Sequence, residues 1–414
     1  MLQTTKEEDE LRIRKGKNKR KRNIRIAICA AAVLCVGCII FYALDGYPKV
    51  LKLLGIQQDV RVEPKATVIQ YTPKGACLLE AVGDSVIIYD ENGVTALNSA
   101  GEWKWNESCT FSAPAAVRCG EVLLLYDADG TNLYAFSGSG LLWKQVFTEG
   151  MIGVAAGSYQ NQYAVLHNVP DYLSAATLLN MKKSAAAGNI EADKVFVRKF
   201  GSHYMTSAAI SPDGTQLAVS GFSAEGSSIT GITAFLRMSD GELFTTEQYD
   251  GQIYPVAEYL GNETLFLCSS DSLRMIRRAS TASTKQDIQK ELWNRNGGSK
   301  AILGAAALNG RYLAVAYGNG NPDSDSLSTV SEVKYYTESG KVKLSFEIEG
   351  RISGIRSYRD TVAFYTERTV YLYNDQGQLI GTYTAPVQVE RIAYISDREL
   401  LVYGNGKIAS VLYK

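Results

Sequence analysis

Along most of the chain, short apolar runs alternate with tight polar punctuation. The plainest case is Ala208–Ser220: Ala208, Ala209 and Ile210 stop at Ser211-Pro212-Asp213-Gly214, and a second run opens at Leu217-Ala218-Val219. Two short apolar runs separated by Pro-Asp-Gly predict a β-hairpin, because these residues pre-set the turn dihedrals. Variants recur at Val82-Gly83-Asp84, Cys119-Gly120-Glu121, Gln160-Asn161-Gln162, Leu260-Gly261-Asn262, Asn309-Gly310-Arg311, Arg359-Asp360-Thr361 and Ser396-Asp397-Arg398. Each precedes a strand such as Val86–Tyr89 or Leu401–Tyr403. The turn anchors lie on average about 45 residues apart, the spacing of four-stranded propeller blades. The pattern therefore predicts one large all-β repeat domain where 414 residues would otherwise allow two or three domains.

Blades are predicted at Gly75–Ser108, Phe111–Gly150, Met151–Phe200, Gly201–Gly251, Gln252–Gly298, Ser299–Gly350 and Arg351–Ala385. A second mark supports them, a glycine turn before the outermost strand at Gly101, Gly140, Gly241, Gly340 and Gly377. The third and fifth blades carry this mark poorly, which leaves seven blades as the alternative count. The last stretch, Gln388–Lys414, offers three strands, at Arg391–Ile395, Leu400–Tyr403 and Ile408–Tyr413, while Ala66–Tyr71 alternates as a stray strand. Joining it to the last blade gives a closed ring of about eight blades and removes an exposed sheet edge.

Ahead of the repeats the pattern changes. Residues 1–25 hold ten Lys/Arg against four Asp/Glu, a self-repelling composition expected to be disordered. Ile26–Leu44 then runs 19 residues without a charge, long enough to cross the hydrocarbon core as a helix. The cationic flank predicts a cytoplasmic N-terminus and an extracytoplasmic remainder. The run is too long, and its end too bulky, for a cleaved signal peptide. Cys38 follows Gly37 as a lipidated cysteine would, but the apolar run continues beyond it. Residues 45–65 form a connector with Pro48, Gly55 and Pro64, and residues 66–414 the propeller.

Charge excludes one class of partner. Outside residues 1–25 the chain has 33 Lys/Arg against 39 Asp/Glu, so it lacks the broad basic face that nucleic-acid binding needs. The basic tail sets topology and touches anionic lipid.

The blade repeats resemble those of pyrroloquinoline-quinone-type (PQQ-like) propellers, and more loosely WD40-like ones. Val94-Thr95-Ala96-Leu97-Asn98 leads through Gly101 to Trp105, and Leu133-Tyr134-Ala135-Phe136-Ser137 leads through Gly140 to Trp143. Basic tail, single span and propeller together resemble an uncharacterised family of membrane-anchored propeller proteins of Gram-positive bacteria. That family implies the architecture and carries over no activity. Related non-enzymatic propellers, such as the outer-membrane assembly lipoprotein of Gram-negative cells, serve as docking scaffolds. Quinone enzymes of the PQQ type also need a calcium-binding carboxylate and amide set and a catalytic Asp, and many use adjacent cysteines, which this chain lacks.

Candidate chemistry is sparse. His167 and His203 have no second ligand at metal-binding spacing. Asp127–Asn132 begins like a calcium loop but lacks the distant bidentate Glu, and a hairpin turn explains it equally. Asn321–Ser326 is acidic and flexible in composition. No nucleophile elbow or phosphate loop occurs. Cys77, Cys109, Cys119 and Cys268 permit three pairings, and none is assigned. Insertions at 169–193, 280–290 and 319–330 are candidate partner loops or surface slack. The fifth blade gathers Arg274, Arg277, Arg278, Lys285, Lys290 and Arg295, either a solvated face or a site for an anionic wall polymer or acidic protein. Tyr89, Tyr126, Tyr134, Tyr371 and Tyr373 fit strand packing.

The sequence thus predicts a single-pass membrane protein whose external propeller is a non-catalytic binding or scaffold module of the cell envelope. Its expected partners are lipid, through residues 26–44, and an envelope protein or wall component on a propeller face. No cofactor is predicted, and no catalytic, cofactor-binding or metal residue is nominated. The alternatives are a cofactor- or metal-dependent enzyme in the central funnel and a ligand-sensing ectodomain.

Overall fold

The structure, a computed structural model, describes residues 64–75, 77–157, 162–180, 193–223, 228–278, 287–295, 299–320 and 330–413. The tail, the apolar run 26–44 and most of the connector lie outside the described residues. Among those described, every regular element is a β-strand, and no helix is long and apolar enough to cross a membrane.

The strands make eight antiparallel four-stranded sheets. Blade 1 is β2–β5 (Leu78–Val82, Ser85–Asp90, Gly93–Asn98, Trp103–Glu107), and blade 2 is β6–β9 (Pro114–Cys119, Val122–Asp127, Asn132–Ser137, Gly140–Val146). Blade 3 is β10–β13 (Met151–Ala156, Gln162–Val169, Tyr172–Asn180, Asp193–Phe200), and blade 4 is β14–β17 (Tyr204–Ile210, Gln216–Ser223, Thr230–Arg237, Leu243–Asp250). Blade 5 is β18–β21 (Val256–Leu260, Thr264–Cys268, Ser272–Arg277, Ile288–Asn294), and blade 6 is β22–β25 (Lys300–Leu308, Tyr312–Asn319, Val330–Thr337, Val342–Glu349). Blade 7 is β26–β29 (Gly354–Tyr358, Thr361–Tyr365, Thr369–Asn374, Leu379–Thr384). Blade 8 is β30–β32 (Arg391–Ser396, Glu399–Gly404, Lys407–Leu412) with β1 (Lys65–Ile69) as its outer strand.

Closure is a pairing between the two ends of the ring. β1 runs antiparallel to β32, with Lys65 opposite Leu412 and Ile69 opposite Ile408. Ile69 is buried and packs with Leu79, Ala81 and Leu401. The blade count is therefore eight, not the alternative seven.

The core is divided among the blades. Each of the eight apolar clusters lies between two neighbouring sheets, so every blade is covered on both faces. This explains why second strands such as β3 are buried throughout and read as unbroken apolar runs, while outer strands such as β17 alternate. The PQQ-like tryptophans sit at these seams. Trp105 donates to the Gly138 carbonyl of blade 2 at 3.0 Å, and buried Trp143 stacks on Tyr163 of blade 3 at 5.7 Å.

The glycine turns behave as their residue type requires. Gly101 (φ 87°) and Gly377 (φ 71°) occupy the left-handed region, which glycine enters without a side-chain clash. Blades 1 to 7 each carry a register shift between third and fourth strands, near the connection between them except in blade 5, where it lies at the far end. The two blades with a poor glycine mark have longer connections there, 181–192 and 279–286, outside the described residues.

Candidate functional site

The first strand of every blade is innermost, and successive first strands are neighbours around the ring. A residue that does not fit between blades therefore faces the channel. Six charged residues interrupt the apolar sequence of these strands; Glu258 and Lys300 lie on β18 and β22, and the other four fall in the consecutive blades 7, 8, 1 and 2. Arg391 is the first residue of β30, Glu80 the third of β2, Arg356 the third of β26, and Arg118 the fifth of β6. Their side chains confirm the alignment. Arg356 lies 3.9 Å from Glu80, third residue to third residue across blade 8. Arg118 places its guanidinium 5.4 Å from the centre of the Tyr358 ring, fifth residue to fifth residue.

At the end where these strands begin lies a cavity of about 400 Å³, lined by Leu79, Arg356, Tyr365, Glu390, Arg391 and Ile392 from blades 7, 8 and 1. Glu390 is held by the backbone amide of Asn405, which donates to its carboxylate at 2.7 Å. The Tyr365 hydroxyl donates to the Glu390 carbonyl at 3.5 Å. Glu80 keeps 24% of its side-chain surface open to the channel. Burial nevertheless pushes its carboxyl above the usual carboxylate range, against the opposing pull of Arg356, Arg118 and Arg391. A narrow channel hydrates a charge poorly even where it is open. The chain enters the ring by the opposite face, because Lys65 pairs with Leu412 at the far end of β32 while Ile69 lies at the mouth end.

The residues singled out from the sequence serve the scaffold. One Asp127 carboxylate oxygen accepts from the amides of Ser112 and Ala113 at 2.9 and 2.6 Å, which fixes the turn between blades. His167 bonds the Asn168 carbonyl and the Thr177 hydroxyl, both at 2.8 Å, and burial lowers its pKa. His203 meets Ser202 at 3.0 Å. Among the described residues no three His, Cys, Asp or Glu side chains converge on a metal-sized site. The four described cysteines are free, buried thiols, and burial pushes Cys77 and Cys109 up to about 11 and Cys268 to about 12. Such thiols stay protonated and are weak nucleophiles.

The basic residues of blade 5 largely face acids. Arg274 meets Glu291, Arg278 meets Glu247 of blade 4 and Asp287, and Arg295 meets Asp271. Lys285, Asn321–Ser326 and most of the three insertions lie outside the described residues. A larger groove of about 820 Å³ between blades 4 and 5 includes Phe235, Phe244, Arg237 and Arg278 in its lining. Its arginines are paired with neighbouring acids, so it offers less free charge than the channel mouth. Of the named tyrosines, Tyr89, Tyr126, Tyr134 and Tyr373 are buried between blades and Tyr371 is half-buried.

Sequence reasoning missed the channel residues. Their signal is a lone charge inside an inner-strand apolar run just before the blade turn, as in Leu78-Leu79-Glu80-Ala81-Val82 and Ala115-Ala116-Val117-Arg118-Cys119. A model of one protein family, a family of unknown function termed DUF5711, matches residues 65–412, the whole propeller. The chain belongs to that family. No curated protein matches it.

Among solved structures, an oligogalacturonate lyase in complex with manganese shares 10% identity, with a TM-score of 0.50 over 85% of this chain and 98% of that one. BamB from Moraxella catarrhalis shares 12% identity, with a TM-score of 0.46 over 84% and 97%. The β-propeller domain of Myceliophteria thermophila Cps50 (Swd1) shares 11%, with a TM-score of 0.48 over 84% and 100%. At such identity these likenesses concern the fold of the DUF5711 chain alone.

Proposed function

We propose that this DUF5711 protein is a membrane-anchored binding module of the cell envelope, with residues 26–44 spanning the membrane, 1–25 in the cytoplasm and the propeller outside. The observation that carries the binding reading is the cavity at the channel mouth, where three blades converge and Arg356, Arg391, Glu390 and Tyr365 meet on one wall. Concave sites with a few convergent polar groups are where rigid scaffolds hold ligands. The chain enters the ring at Lys65, on the face opposite the mouth.

The test is chemical crosslinking in intact cells, followed by capture of the full-length protein and, in parallel, of a tethered chain without residues 66–414. The proposal expects one envelope component recovered in near-stoichiometric amount with the propeller and lost without it. Equal recovery from both chains, or none from either, contradicts it.

A further inference from the structure

On the wall formed by blades 7, 8, 1 and 2 the channel carries three arginines against two acids, Glu80 and Glu390. Arg118, Arg356 and Arg391 all act on the single carboxylate of Glu80. The one ion pair among them, Arg356 with Glu80, is at the 3.9 Å limit of contact. Arg391 forms no ion pair among the described residues, and the neighbouring Glu390 carboxylate, oriented by the Asn405 amide at one oxygen, keeps its charge and its second oxygen. Guanidinium groups present a planar fork of donors that matches the two oxygens of a carboxylate or phosphate. An anion lodged there offsets the cost of holding cations where water is scarce.

The shape adds a limit. A cavity of about 400 Å³ is at the small-molecule end of the ligand-site range. Below it, Arg118 of blade 2 reaches Tyr358 of blade 7, three places away around the ring of eight. That contact joins non-adjacent blades below the cavity. Glu390, Glu80 and the Tyr365 oxygen supply acceptors beside the cations, a setting for hydroxyl groups on the same ligand.

We infer that the channel mouth binds a small hydroxylated oxyanion, its carboxylate or phosphate held by Arg391 and Arg356 and its hydroxyls by Glu390 and Glu80. The inference rests on the binding-module reading and names the ligand class of that site.

The test is calorimetric titration of the full-length chain in detergent with sodium gluconate and, separately, with inorganic phosphate, at constant ionic strength. Saturable binding is expected from at least one probe. Response to gluconate alone assigns a carboxylate, to phosphate alone a phosphate, and to both the shared oxyanion. Arg391→Met, on an exposed side chain, is expected to weaken binding by about tenfold or more, the loss of one charge-assisted bidentate contact. Glu80→Gln removes the competing internal acid and is expected to tighten it. Arg237→Met, in the distant groove, leaves it unchanged. Should Arg356→Met fail to fold, Arg391→Met and Glu80→Gln carry the test.

The inference is overturned if neither probe saturates by ~10 mM, which means binding weaker than about −3 kcal/mol, or if Arg391→Met binds as the parent does. That result beside a captured envelope component leaves the binding-module reading standing, because the two measurements are independent.

Discussion

The guanidinium of Arg118 lies over the ring of Tyr358, 5.4 Å from its centre, although the two residues belong to blades 2 and 7. Arg359 approaches the same ring at 5.3 Å, and Tyr394 of blade 8 stacks on it at 5.6 Å. One aromatic ring thus ties three blades together across the channel. A double-mutant cycle with Arg118→Ala and Tyr358→Leu, followed by denaturant unfolding, should give a coupling of about 0.5–1 kcal/mol. Additive single effects would show that the contact adds nothing beyond proximity.

Ring closure makes an unequal prediction for adjacent residues of β1. Ile69 is 2% exposed within the cluster between blades 8 and 1, while Val68 on the other face is 58% exposed. Ile69→Ala should destabilise the propeller by about 2–4 kcal/mol through lost burial and the cavity left behind. Val68→Ala should cost about 0.5 kcal/mol or less. Denaturant midpoints of the two variants decide it, and similar values would mean that β1 does not close the ring in solution.

Glu258, on the inner strand of blade 5, accepts a hydrogen bond from the Ala307 amide of blade 6 at 2.9 Å. Burial raises its carboxyl from 4.5 to about 7, and the Ala307 amide only partly opposes this. The folded state holds this proton between those two values and the unfolded state releases it. The stability it confers is therefore complete below about pH 4.5 and is lost as pH rises to about 7. Glu258→Gln keeps an acceptor for Ala307 without the charge. It should gain on the order of 2 kcal/mol over the parent at pH 8 and almost nothing at pH 4.5. Melting of both proteins across that range is the check, and a constant difference would contradict the assignment.

Glu80 sets a pH dependence for anion binding. Its carboxyl is raised by burial and faces Arg356, Arg118 and Arg391. As pH falls through that titration, the acid loses its charge and its claim on Arg356. Gluconate affinity should rise in the parent as pH is lowered and stay nearly flat in Glu80→Gln, apart from general effects shared by both. Parallel profiles would remove Glu80 from the site.

Blade number was legible because turn chemistry repeats. Gly83, Gly120, Gly214, Gly261 and Gly310 all take the positive φ that their turns require, so the anchors mark real chain reversals. The register shift before the outer strand was not legible, since the extra residue has no special chemistry, as between Ala96 and Leu97. The site was harder still. Glu80 and Arg356 are far apart in sequence and meet only because β1 closes the ring and brings blade 7 within reach of blade 1. Periodicity reports which residues are buried, and it does not report which single charges face each other across an axis.

Glu367 and Asp360 separate the two faces of the ring. The Glu367 carbonyl accepts from the Val389 amide beside the channel mouth, while Asp360 sits in the turn after Tyr358 at the opposite end of β26; both side chains are exposed. A photo-crosslinking residue placed at each position in turn, in intact cells, asks directly whether the mouth is the binding face. The captured envelope component is expected to crosslink to position 367 and little to position 360. Crosslinking chiefly to position 360, or to neither, would contradict it.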